Sequence, residues 1–337
     1  MTTKTHAKAR ASGKVILFGE HAVVYGTNAI AAGIDRGAVA SVERKPHGPS
    51  TLRIGTGTVT ADRDSKDDLA RAFAALLDTE PALPAIHVEA RSDLPPGGGL
   101  GSSAALAVAI ARAAEALEGE SANDASVLER AAAWERVFHG NPSGIDATAA
   151  AKGGIFRYAR ADGATPIEPG ADFLFCVGST GQPSSTRTTV ELIASRRERD
   201  PALVERSIAA IASIVGNAIL AIEAGDHRAV GDLMNMNQHV LSGLFVSTSE
   251  LEDLCAIARG AGALGAKLTG GGGGGCVIAL VAPVLGPLGE HDEAKEAENA
   301  DKILNAWLHA EGRYEGFATR IPAAKHAHPS KHAGENP

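Results

Sequence analysis

The chain has 337 residues, a formal net charge of −8, and few aromatic residues beside abundant alanine and glycine. That length accommodates two domains sharing a cleft, and the acidic balance argues against a general nucleic-acid binder while leaving room for a local anion site. Three scattered cysteines, Cys176, Cys255 and Cys276, lie in or beside apolar runs; they read as small core residues with reduced thiols and point to a cytoplasmic setting rather than a disulfide framework.

The basic N-terminus, M-T-T-K-T-H-A-K-A-R, lacks the apolar core of a secretory signal. No uninterrupted apolar stretch reaches about 18 residues, so no transmembrane span is expected. Residues 15–18 form a short apolar run that reads as a strand and ends at Gly19-Glu20-His21. Residues 29–34 resume apolar character, and 39–42 and 51–54 read as further strands. Leu69, Phe73, Leu76 and Leu77 mark an amphipathic helix. Residues 86–90 read as a strand leading into D-L-P-P-G-G-G-L-G-S-S-A-A at 93–105, after which Leu106, Ile110, Ala113 and Leu117 recur at helical spacing. A second helix covers about 124–139, with Asp124 as a candidate N-cap. The turn N-P-S-G then leads to Asp146 and an alanine-rich segment. Strands are expected near 155–158 and 173–178, and helices at 188–199, 202–224, 229–239 and 251–261. Lys267-Leu268-Thr269 and six consecutive glycines, Gly270 to Gly275, precede an apolar strand at 276–281. The acidic stretch 290–298 reads as a solvated loop or helix start. Residues 323–337, with His326, His328 and His332, read as a disordered tail. Glycine and proline cluster at 163–170, which places a boundary between domains 1–165 and 166–322. Strands and helices mix irregularly, as in an α+β fold.

Segment 93–105 is a glycine-rich loop feeding a helix N-terminus, where unpartnered N–H groups and the macrodipole favour an anion. Ser102 and Ser103 add hydroxyls able to bind a phosphate oxygen or a metal ion. No lysine stands between Gly97 and Ser103, so this is not a Walker A loop. The two prolines, and the lack of an acidic continuation, fit a dinucleotide loop poorly. Glu135 shares a helical face with Leu128, Ala131 and Phe138. A carboxylate there calls for a metal ion, a salt-bridge partner or an edge position that reaches water. Asp146 can cap a helix or accept a substrate proton. Lys14 precedes the first strand as either a surface residue or a site cation. Glu20 and His21 follow that strand, where functional loops tend to sit; His21 suits a ligand carboxylate or hydroxyl, or its own loop. The six-glycine run is short and free of serine, which favours a close-approach loop over a linker.

Together these segments resemble the GHMP small-molecule kinase superfamily. K-V-I-L-F-G-E-H-A-V-V-Y-G at 14–26, the glycine loop at 95–105 and K-L-T-G-G-G-G-G-G-C at 267–276 match its three signature regions in order. Within it, G-E-H-A-V-V-Y-G and E-R-V-F-H-G-N-P-S-G-I-D at 135–146 look like the mevalonate kinase family. The resemblance implies an N-terminal α/β domain with a left-handed crossover and a C-terminal ferredoxin-like domain, with ATP and substrate in the cleft between them. It implies ATP held by Pro95, Gly97, Gly98, Gly99, Leu100, Gly101, Ser102, Ser103 and Ala104, and Mg²⁺ held by Ser103 and Glu135. Asp146 matches the catalytic base and Lys14 its neighbour. Glu20, His21, Ser143 and Thr186 match residues at the substrate, mevalonate. No nucleic acid or membrane partner is implied, and a homodimer is a candidate assembly. Alternatives are a related kinase for another small alcohol, or a ligand sensor on the same fold; the complete set of Asp146, Glu135, Ser103 and Lys14 speaks against a sensor. One departure is Gly271, where the family usually has alanine; a looser loop with the same chemistry is expected.

Overall fold

The structure, a computed structural model, describes residues 4–79, 84–119, 123–140, 142–285 and 292–324. β1 (His6–Phe18) and β2 (Ala29–Arg44) pair antiparallel through most of their length. The runs at 29–34 and 39–42, read as separate strands, are thus one strand. Asp35-Arg36-Gly37 interrupt the apolar pattern, yet Gly37, like Gly33 inside the first run, is a point of close approach rather than a break. A Cβ at 37 would lie 2.0 Å from the Ala11 carbonyl oxygen, and one at 33 would lie 2.7 Å from Gly153 Cα. The other edge of β2 serves two strands: 38–44 pair with β5 (Ile86–Ser92) and 29–32 with β6 (Ile155–Ala159). β3 (Thr51–Ile54) runs parallel to β5, and β4 (Gly57–Thr60) and β7 (Gly163–Pro166) complete the sheet, in the order β4-β3-β5-β2-β6-β7 with β1 on β2. β4 and β7, G-T-V-T and G-A-T-P, escape the sequence because each is four residues long with at most one large apolar side chain, too little to show alternation.

Helices α1 (Asp68–Asp78), α2 (Ser102–Glu118), α3 (Asp124–His139) and α4 (Ile145–Lys152) belong to this half. α2 packs on β1 and β2 and meets α3 and α4. Its buried Ala104, Ala107, Ala111 and Ala114 let backbones approach closely. The cap of α3 is Asn123, whose side chain accepts from Ala125 N at 3.0 Å, one residue before the expected Asp124.

The second sheet has the order β11-β8-β10-β9, all antiparallel: β8 (Phe173–Ser179), β9 (Gly265–Thr269), β10 (Cys276–Leu280) and β11 (Glu315–Ile321). Helices α5 (Thr186–Arg199), α6 (Pro201–Ala224), α7 (His227–Gly243) and α8 (Ser249–Gly260) separate β8 from β9, and α9 (Glu293–His309) separates β10 from β11. This is the ferredoxin-like strand order. β11 was not expected, because its buried set, Phe317, Thr319 and Ile321, includes a polar residue that blurs the alternation. The acidic stretch proves to be a helix start, capped by Asp292, whose carboxylate accepts from Lys295 N; 290 and 291 lie outside the described residues. Among the described helices, α6 alone is long and apolar enough to cross a membrane by length and composition. Here it packs Val204, Ile211, Val215 and Ile222 inward beside α5 and α7. Of the expected tail, Ala323 N donates to Asp172 Oδ1 at 2.6 Å and Ala324 N to Pro169 O at 3.0 Å; His326, His328 and His332 lie outside the described residues.

The two sheets meet near the C-terminal ends of β1 and β9. The Thr269 hydroxyl accepts from Ile16 N at 2.8 Å and donates to Ile16 O at 3.0 Å, so one side chain satisfies both backbone groups of a strand residue. Beside it, Glu20 and Lys267 form an ion pair with no exposed side-chain surface, and Asn237 Nδ2 donates to Glu20 Oε2 at 3.2 Å. Removing one partner of such a pair strands the other charge. Lys267→Met should therefore destabilise the fold by about 3–5 kcal/mol, while the double variant Glu20→Gln/Lys267→Met should regain most of that. Urea unfolding of the parent and both variants checks this; equal losses in the single and double variants would show that stranded charge is not the cause.

Candidate active site

The glycine loop is anchored at its start, where Asp93 N donates to Gly37 O at 3.0 Å and Asp93 Oδ1 accepts from Gly37 N at 2.6 Å. Gly98 N donates to Pro95 O at 3.2 Å and closes the turn. Gly101 caps α2 with φ +74°, and no side chain makes a capping hydrogen bond there, so the leading N–H groups lack a side-chain partner at the cap. A Cβ at Gly101 would sit 3.4 Å from Lys14 Cβ and 3.7 Å from Asp146 Cβ. Lys14 N donates to Leu100 O at 2.8 Å, which joins the loop to β1. Leu100 and Ala104 are buried, so they reach this site through their backbones. Ser102 Oγ donates to Ser92 Oγ at 3.0 Å.

The six-glycine run packs against this loop, as expected of a close-approach segment. A Cβ at Gly275 would lie 3.1 Å from Gly98 O, and one at Gly98 would lie 3.0 Å from Cys276 Sγ. Residues 182–184 bridge the two: Ser184 N donates to Gly97 O and Ser184 Oγ to Gly272 O, both at 2.8 Å. Gly271 does not loosen the run. An alanine methyl there would fall 2.9 Å from Thr186 Cα, so the departure from the usual alanine accompanies tight packing.

Four polar side chains gather beside the open end of α2. Lys14 Nζ lies 3.0 Å from Asp146 Oδ1, with Lys14 buried and the aspartate 37% exposed. Asp146 is the second residue of α4, and the cap position belongs to Gly144; the capping role left open for Asp146 is therefore not the one it has. Ser103 Oγ donates to Glu135 Oε1 at 2.6 Å and accepts from Trp134 Nε1 at 3.0 Å. Glu135 is 5% exposed. Its second oxygen lies 3.8 Å from His139 Nε2. Burial pushes the Glu135 carboxyl above its usual range; the Ser103 hydroxyl opposes this and the Asp146 carboxylate adds to it. Two acids within electrostatic reach of each other, one of them buried, share one lysine.

The remaining expected residues divide. Glu20 is not at an open surface, because its carboxylate is taken up by Lys267 and Asn237. His21 is buried at φ +62°, with Nε2 2.8 Å from Gly271 O. Thr186 heads α5 and packs on Gly271. Ser143 is exposed on the turn before Asp146; its hydroxyl accepts from Ile145 N at 3.4 Å, and its carbonyl accepts from the Tyr158 hydroxyl. Tyr158 and Trp134 were missed. Neither has a local signal, since each acts on a residue brought near by folding.

Two family models match the chain: the GHMP kinases N terminal domain over 68–154 and the GHMP kinases C terminal domain over 218–313. Mevalonate kinase of Aeropyrum pernix is 37% identical over 291 residues, covering 81% of this chain and 88% of the relative. That of Thermococcus gammatolerans is 35% identical with the same coverage. The crystal structure of L. major mevalonate kinase in complex with R-mevalonate superposes with TM-score 0.82 at 30% identity, covering 95% of this chain and 98% of the other. The chain belongs to the GHMP kinases, enzymes built on these two domains. Within them it falls in the mevalonate kinase family.

His21 adds a pH signature. Burial depresses its imidazole from the ordinary 6.5 to about 4. The unfolded chain therefore binds a proton over a range where the folded chain does not. The stability contributed by neutral His21 is present above pH 6.5 and is lost as pH falls toward 4, by up to about 3 kcal/mol. His21→Gln keeps an amide donor for Gly271 O and should lose stability less steeply across that window. Melting curves from pH 7 to 4 check this; parallel slopes for parent and variant would contradict it.

Proposed function

We propose that the chain phosphorylates the primary hydroxyl of mevalonate with ATP, yielding 5-phosphomevalonate and ADP. The observation that carries this is the Lys14–Asp146 pair, 3.0 Å apart beside the open N-terminus of α2. The likeness to an enzyme crystallised with R-mevalonate supports the choice of acceptor. The leading amides of α2 and the loop residues Pro95, Gly97, Gly98, Gly99 and Gly101 would cradle the nucleotide phosphates. Ser103 and Glu135 would hold Mg²⁺. The fit is chemical: two hard oxygen donors, one on a buried carboxylate short of positive charge, suit an ion that takes its other ligands from phosphate and water. When bound, the metal offsets charge on the phosphates.

Lys14, 3.0 Å from Asp146 Oδ1, holds that carboxylate in place and would stand beside the transferred group. Asp146 then accepts the hydroxyl proton as the oxygen attacks, and the fixed lysine and helix end provide positioning and charge stabilisation. His21, Ser143 and Thr186 would border the acceptor, with Glu20 acting through its hold on Lys267. In this reading the domains are 1–165 and 166–322, and catalysis takes place in the cleft between them. A coupled ADP-release assay with mevalonate, galactose, homoserine and phosphomevalonate tests the acceptor; ADP release with another of these and none with mevalonate would refute it.

Asp146→Asn should lower turnover by on the order of 10²–10⁴ at saturating substrates, with ATP binding little changed; turnover within a fewfold of the parent would remove Asp146 from the chemistry. Glu135→Gln should raise the Mg²⁺ requirement with the fold intact. Superimposable Mg²⁺ titrations of the parent and Glu135→Gln would count against a metal-binding Glu135.

A further inference from the structure

We propose that Trp134 is a positioning residue, whose indole N–H orients the Ser103 hydroxyl so that one oxygen lone pair faces the cation held by Ser103 and Glu135. The inference rests on the metal reading above and adds a residue to it. A serine hydroxyl has one hydrogen and two acceptor lone pairs. Glu135 Oε1 takes the hydrogen at 2.6 Å, the short distance of a bond to a carboxylate. Trp134 Nε1 occupies one lone pair at 3.0 Å. One lone pair is left, and both neighbours that set its direction come from adjacent residues of the same helix, α3. The indole is donor only, so it cannot compete for a cation.

The indole is also held in place. Trp134 is 1% exposed and its ring sits 5.8 Å from that of Phe138. Without the indole donor, the Ser103 oxygen would have two free lone pairs and could turn about its bond to Glu135. A buried tryptophan commonly finds some hydrogen-bond acceptor. What sets this one apart is its choice of acceptor, the hydroxyl at the second position of the phosphate-facing helix rather than a backbone carbonyl. Trp307, the other tryptophan of the chain, takes the ordinary course and donates to Leu254 O at 2.9 Å within the second domain's core.

The test measures metal binding without turnover. Mg²⁺ is titrated calorimetrically into the enzyme–ATP complex of the parent, Trp134→Phe, Ser103→Ala and Glu135→Gln, and ATP binding is measured separately in EDTA. The proposal expects Trp134→Phe to weaken Mg²⁺ roughly three- to tenfold, the worth of one hydrogen bond, with metal-free ATP affinity unchanged. Unchanged Mg²⁺ affinity in Trp134→Phe, with weakening in Glu135→Gln, overturns the positioning role and leaves the metal reading standing. Unchanged affinity in both Glu135→Gln and Ser103→Ala removes the metal reading and this role with it. A second measurement keeps the indole intact. Trp307→Phe leaves Trp134 as the only tryptophan, and its emission should shift when Mg²⁺ is added to the enzyme–ATP complex. Ser103→Ala in that background should abolish the shift. An emission that ignores Mg²⁺ overturns the proposal even if Trp134→Phe fails to fold.

Discussion

The buried ion pair between Glu20 and Lys267 is the constraint on which the cleft depends. Glu20 lies two residues past the end of β1 in one sheet, and Lys267 lies in β9 of the other, three residues before the glycine run begins at Gly270. A pair this deeply buried adds little net stability over an apolar pair of similar size. It does select an arrangement, because any shift of one sheet past the other leaves a charge without water or partner. The Thr269 hydroxyl makes the same selection with a neutral group, bonding both the amide and the carbonyl of Ile16. Those contacts bring the six-glycine run against the loop at 95–101, and the bond from His21 to Gly271 O lies at the same junction.

The site built on that junction is short of positive charge. Asp146 pairs with Lys14, while Glu135 has a hydroxyl, a histidine 3.8 Å away and only the more distant charge of Lys14, and burial and Asp146 both work against its ionisation. The alanine-rich α2 makes this arrangement possible. Its small residues let β1, α3 and α4 approach on different sides, and each delivers one group: Lys14, Glu135 and Asp146. Larger side chains on α2 would hold those elements apart and separate the three groups. A site that gathers acids at a helix N-terminus, with one lysine and open backbone amides, is suited to a ligand that supplies both anion and cation, as a metal–nucleotide does.

Much of this was legible in the chain. The glycine loop, the helix after it, and the candidates Lys14, Ser103, Glu135 and Asp146 stand out because their signals are local: a run of glycines, a helical period, a carboxylate on an apolar face. Most helices were placed within two or three residues for the same reason. Strands fared less well. β2 read as two pieces because Asp35-Arg36 and a glycine required by packing, Gly37, look like punctuation, while β4, β7 and β11 are too short or too mixed to show alternation. Glu20 read as a ligand residue because its position after a strand is typical of sites; nothing near it in sequence announces a lysine 247 residues away.

By itself, then, the sequence picked out the candidate residues Lys14, Ser103, Glu135 and Asp146 and a glycine loop that opens a helix, because those signals arise within a few residues of chain. Only the tertiary structure decided which partner each group takes. It gave Asp146 to Lys14 rather than to a helix cap, Glu20 to Lys267 rather than to the cleft, and the Trp134 indole to Ser103. The physical reason is that the burial and pairing that set a group's role come from segments far apart in the chain, and those segments become neighbours only when the two sheets close on each other.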